Sequence, residues 1–201
     1  MNIQFYNEFI DCSRKNLKTK AKEYINKFIN SFDNFKEKEL WTMKYLPNLE
    51  KTHDGYIRYE LFEEIVFPVL WNGYKNKNIS LMIWLVKLSE NYYRNRKILE
   101  EINYKTDLEI IKECYEMDCD NNEIIDLYLS IEIRGINYAM HEWPSCILIG
   151  TSNTNLEDCE KELSEVIPII KKLDRQKKYT DYINDYENKL KKYIKRLKKM
   201  D

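Results

Sequence analysis

Arg134 and His141 stand seven residues apart in the stretch 121–144, NNEIIDLYLSIEIRGINYAMHEWP. Seven residues is two turns of α-helix, so a guanidinium and an imidazole would share one face. Such a pair can steady a phosphate and move a proton. Glu132 lies opposite that face, among apolar residues, where a carboxylate needs a partner because an isolated buried charge costs several kcal/mol. A structural ion pair is the favoured reading there, with a buried catalytic acid as the rival. Cys114, Cys119, Cys146 and Cys159, with His141, could supply tetrahedral zinc ligands. The Cys-x4-Cys spacing has no second close pair to complete it, and free cysteine packs well as a small apolar residue. No metal and no cofactor are therefore expected. There is no Gly-rich phosphate loop, no His-Glu-x-x-His pair and no nucleophile elbow.

Charge is distributed unevenly. Nine acids (107, 109, 113, 116, 118, 120, 123, 126 and 132) face one base, Lys112, between Asp107 and Glu132. From Lys171 onward twelve bases face five acids, although the whole chain sums to −1. The acidic stretch repels nucleic acid and attracts a basic protein. Within it Glu113, Tyr115, Glu116, Met117, Asp118, Asp120, Glu123 and Asp126 are the candidate partner-binding residues, the acids steering and the apolar side chains anchoring. The competing use of such acids is local, against the dipole at a helix start.

These residues need elements to hold them. Around 122–141 the apolar residues leave only a polar seam of Glu123, Asp126, Ser130, Arg134, Asn137 and His141, so this helix is expected to be buried at the centre of the fold and to be stopped by Pro144. Helical spacing also recurs before Leu46, with a break near Cys12-Ser13 or 31–34, and Pro47 with His53-Asp54-Gly55 marks a loop. A helix follows from about Tyr59, kinked or ended by Pro68. Asn78 caps a long helix over ISLMIWLVKLSENYYRNRKILEEI, and Thr106 with Glu109 forms a capping box. Cys146–Gly150 is read as an extended connector rather than a strand. Asn155 caps a helix bent near Pro168, and an amphipathic helix closes the sequence.

With four glycines and four prolines in 201 residues, a many-stranded sheet is improbable. The expected fold is all-α: one domain over 1–201, an irregular bundle of about seven to nine helices around the helix near 122–141. Five cysteines in no framework point to reduced thiols and a cytoplasmic protein. The start of the sequence has no secretory pattern, and its longest apolar run is too short to span a bilayer, so no membrane partner is expected.

The Arg134 and His141 pair resembles the Arg-x4-6-His motif of HEPN ribonucleases. That resemblance implies an all-α RNase in which His141 helps activate a 2′-hydroxyl and Arg134 steadies the phosphate; Gly135 stands where the family commonly has a polar residue. The absence of catalytic motifs, the acidic segment 113–120 and the nearby aromatics resemble, in kind, immunity proteins of bacterial contact-dependent growth-inhibition and polymorphic-toxin systems. That likeness implies a cofactor-free cytoplasmic protein that binds and neutralises a cognate toxin, a nuclease by charge, with no nucleic-acid partner of its own. A third reading is a helical nucleic-acid-binding or regulatory protein that uses the basic C-terminal helix.

Overall fold

The computed structural model describes residues 1–52, 57–148 and 156–199. Every regular element among them is helical, so the fold is all-α. Eleven helices are present there, nine of them of seven residues or more. They are α1 (Ile3–Arg14), α2 (Lys18–Ile29), α3 (Phe35–Thr52), α4 (59–75), α5 (Ile79–Lys87), α6 (Ser89–Tyr93), α7 (Arg96–Glu101), α8 (Asp107–Met117), α9 (Asn122–Ala139), α10 (156–173) and α11 (Thr180–Leu197). The chain forms two compact units, Met1–Met117 and Asp118–Asp201.

In the first unit α4 meets α2, α3 and α5, and α5 in turn meets α8. α4 crosses Pro68 without ending. Its turn Phe62–Val66 widens to a π-helix, so that the Phe67 N–H reaches back to the Phe62 carbonyl. Proline offers no N–H and its ring crowds the carbonyl four residues back, here Glu64. That carbonyl instead accepts a hydrogen bond from Lys38 Nζ at 2.9 Å. Pro47 lies inside α3, which corrects the loop expected there. Buried Trp41, Leu46 and Leu49 hold that helix to the core on both sides of the proline. The single helix expected after Asn78 is three, because Leu88 leaves helical geometry and Asn95 starts a new helix by accepting from the Ile98 N–H. The capping box is present, with Glu109 N–H bound to Thr106 Oγ1 at 3.2 Å and Thr106 N–H to Glu109 Oε2 at 2.7 Å.

In the second unit α10 packs against α9 and against α11. α10 repeats the device of α4: a π turn at Glu162–Val166 precedes Pro168, and the Ile167 N–H bonds the Glu162 carbonyl. α9 starts where the side chain of Asn121 accepts from the N–H groups of Glu123 and Ile124. It buries Ile124, Ile125, Tyr128, Leu129, Ile131, Ile133, Ile136 and Ala139, the face that the apolar spacing predicts. Its end is earlier than expected: Met140 is the cap, two residues before the turn that contains Pro144 is reached. Residues 146–148 form no strand, and Ile147 is buried there. The loop read at His53-Asp54-Gly55, the cap at Asn155 and Gly150 lie outside the described residues.

Few glycines leave other residues to close helices. Asn16, Lys77, Asn103, Tyr104 and Lys177 all have φ between 55° and 57°. After α1 the Leu17 N–H returns to the Cys12 carbonyl and the Asn16 N–H to Ser13, a Schellman closure. A side chain in that left-handed region costs about 1–2 kcal/mol. Lys177 is exposed, so Lys177→Gly is expected to stabilise by about 0.5–1 kcal/mol after the extra freedom of glycine in the unfolded chain is subtracted. The urea midpoint reads this directly. Gly73 is the opposite case. A Cβ there would lie 2.4 Å from Leu81 Cβ, which is anchored to the α5 backbone. Gly73→Ala should force α4 and α5 apart and cost about 1–3 kcal/mol.

Candidate functional site

The acidic stretch does not form one uniform surface. In the first unit Glu113 is held on α8 by three donors: Lys105 Nζ at 2.6 Å, Tyr74 hydroxyl at 3.0 Å and Lys77 Nζ at 3.3 Å. Both lysines also sit over the Tyr74 ring, which stacks on Trp71. Burial would push the Glu113 carboxyl up, but the hydrogen bonds from Lys105, Tyr74 and Lys77 outweigh it and hold the group below the ordinary Glu value. Glu113 therefore ties three segments of this unit together. Tyr115 is half-buried, while Glu116 and Met117 are exposed.

In the second unit Asp120, Glu123 and Asp126 are exposed and Asp118 is half-buried, accepting from the Asn121 side chain. Arg175 crosses from the α10–α11 turn to the turn before α9, donating to the Cys119 carbonyl at 3.0 Å and to Asp120 at 3.2 Å. An exposed pair of this kind is worth at most about 1 kcal/mol. Asp126 carries no ion pair among the described residues. It stands on the rim of a groove of about 520 Å³ with a floor of Ile125, Leu129 and Leu173. Across the groove, Asp174 is buried and accepts from the N–H groups of Lys178 and Tyr179 and from the Thr180 hydroxyl. That network fixes the turn that carries Arg175 and Lys178. Neither Asp174 nor Arg175 stands out in the sequence; the only signal is a polar run between two apolar-periodic helices.

Glu132 is 8% exposed, as its place opposite the seam requires. It faces the same small cavity as Glu162 of the π turn. Tyr186 of α11 donates to Glu162 at 3.0 Å. Burial first, then the charge of Glu162 and its hydrogen bond, and further off the charge of Glu132, push the Tyr186 phenol far above its ordinary value. The seam residues Arg134 and His141 are both exposed. α9 ends at Ala139, so His141 lies in the turn beyond it rather than on the helical face of Arg134, and its Nδ1 is 3.0 Å from Glu142. Two turns of spacing place two residues together only where the helix runs through both.

Cys114 and Cys159 are buried, and burial pushes each thiol up to about 11. Cys119 is exposed. Among the described residues, no group of three His, Cys, Asp or Glu side chains is placed to hold a metal ion. No described helix is long and apolar enough to cross a membrane. Comparison with protein-family models, with curated proteins and with solved structures finds no match.

The pH behaviour of Glu113 follows from its depressed carboxyl. Its contribution to stability is complete above 4.5 and is lost as pH falls through the lower folded value. Glu113→Gln should cost about 1–3 kcal/mol at pH 7, since hydrogen bonds to a charged group are removed. Urea unfolding at pH 7 and at pH 3 checks this. The gap between parent and variant should narrow at the lower pH.

Proposed function

We propose that this is a binding protein, a cytoplasmic immunity protein that neutralises a cognate toxin domain by covering it. The toxin is a basic one, a nuclease by the charge of its cleft. The observation that supports the reading is Asp126, uncommitted on the rim of an apolar-floored groove and on the same exposed edge as Glu123. Charges of this kind raise the rate of encounter, while affinity comes from apolar side chains that are buried on contact. In the second unit Ile125 and Leu129 are already buried and shape a groove below the acid edge in which an apolar side chain of the partner would seat. Glu116 and Met117, with half-buried Tyr115, offer the same mixture at the end of the first unit. Glu113 serves its own unit and is not needed for this role.

Co-purification with the product of the adjacent gene, followed by charge reversal, tests the reading. Asp126→Lys with Asp118→Lys should weaken binding by about tenfold or more at low salt and flatten its salt dependence. Both positions are away from the core, so folding should survive, and circular dichroism checks that. Unchanged affinity and unchanged salt dependence would remove the acid edge from the interface. If the protein alone cleaves RNA and His141→Ala abolishes the cleavage, the ribonuclease reading replaces this one.

A further inference from the structure

In the first unit α1 meets α3 where the Tyr6 ring packs on Trp41 and Tyr45. Between them lies a cavity of about 630 Å³ with a floor of Phe9, Leu49 and Leu61 and walls of Tyr6 and Tyr45. A second cavity, of about 640 Å³, shares Tyr6, Tyr45 and Asn48 with the first and continues toward Ile3, Leu40 and Trp41. The two cavities flank the Tyr6–Tyr45 contact, the first toward Arg14 and the second toward Ile3. Each volume lies within the range of about 300–1,000 Å³ typical of small-molecule sites. The rings that line them are fixed by one another: Tyr45 stacks on Trp41 at 4.5 Å, and Tyr6 meets Phe28 and Trp41 at 5.2 and 5.6 Å.

Charge selects the class of ligand. Arg14 stands at the mouth with no carboxylate partner among the described residues. Arg58 is beside it, its Nε and Nη2 bound to Glu60 at 3.1 and 3.0 Å. Lys44 lines the second cavity and also lacks an acid partner among the described residues. Glu37, which lines the second cavity, is held at 2.6 Å by the N-terminal ammonium. The first cavity is therefore apolar and aromatic within and cationic at its mouth. Burial, and then the neighbouring Tyr6, raise the Tyr45 phenol above its ordinary value.

We infer that the first cavity binds a small amphipathic anion, an unbranched apolar body ending in a carboxylate, with the carboxylate on Arg14 and the body over Phe9, Leu49, Tyr6 and Tyr45. The site is independent of the acid edge at Asp126. Decanoate, titrated calorimetrically into the full chain below the concentration at which it aggregates, is the probe, and decan-1-ol is the uncharged control. Saturable one-to-one binding is expected for decanoate, with the alcohol about tenfold weaker or more. Arg14→Glu should cost a similar factor, and Ser13→Trp, at the exposed lip, should block the mouth. Both side chains are exposed, and unchanged circular dichroism excludes misfolding as the cause. Equal binding of acid and alcohol, uptake of many molecules per chain, or indifference to both substitutions would overturn the inference. Asp126→Lys should leave decanoate binding unchanged.

Discussion

A proline inside a helix withholds one N–H and crowds one carbonyl, and in each unit the helix that meets the most neighbours is built across such a proline. α4 contacts α2, α3 and α5 around Pro68, and α10 contacts α9 and α11 around Pro168. A sharp kink would swing one half of either helix off its partners. The π turns at Phe62–Val66 and Glu162–Val166 absorb the missing hydrogen bond over one widened turn and let each helix continue. The freed Glu64 carbonyl is paired with Lys38, so α3 is tied to α4 at the point of irregularity. Phe62, Ile65, Val66 and Phe67 stay in the core through the widened turn, which is where the energy that keeps the helix continuous comes from.

The electrostatics divide into charges used within a unit and charges left over. Glu113 and Glu187 each gather two lysines, Glu187 those at 171 and 191, and in both the hydrogen bonds hold the carboxyl below its usual value. Glu63 is likewise held by Tyr59 and Lys97. Such groups are poor candidates for a partner, because binding would first have to break what they already make. Asp126 and Arg14 are the contrasting cases, the first on an acid edge and the second at the mouth of an apolar cavity. Net charge near zero conceals this division, since it counts a hub carboxylate and an uncommitted one alike.

Much of the fold was legible in the sequence. The seam of α9, the burial of Glu132, the capping box at Thr106 and the cap at Asn78 all follow from spacing and side-chain chemistry within a few residues. The misses share a cause. Pro47 and Pro68 read as breakers because the residues that hold α3 and α4 together come from other helices. The breaks after Lys87 and Tyr93 lack glycine and proline, and apolar periodicity runs across them. The candidate site was only partly legible: the acid run was visible, but the use of Glu113 by Tyr74, Lys77 and Lys105 depends on residues 8 to 39 positions away. The cavity beside Tyr6 and Tyr45 left no signal, since aromatic residues at helical spacing look the same whether or not the neighbouring helix fills the space beside them.

The Arg134 and His141 spacing shows why a motif on a helix is a statement about geometry before it is one about chemistry. A phosphate bound by the guanidinium must lie within hydrogen-bond reach of the imidazole for the pair to act together. That convergence depends on α9 keeping its turn through residue 141. Met140 instead caps the helix, with its N–H on the Ile136 carbonyl, and the His141 N–H turns back to Tyr138. The two side chains are then set by different backbone geometries, one helical and one in a turn, and the His141 ring is directed to Glu142. The acids at the other end of α9 need no such convergence. An electrostatic edge works by summed field and tolerates side-chain freedom, so exposure at Glu123 and Asp126 is compatible with its role, whereas Arg134 and His141 do not share one helical face and would need another means of convergence.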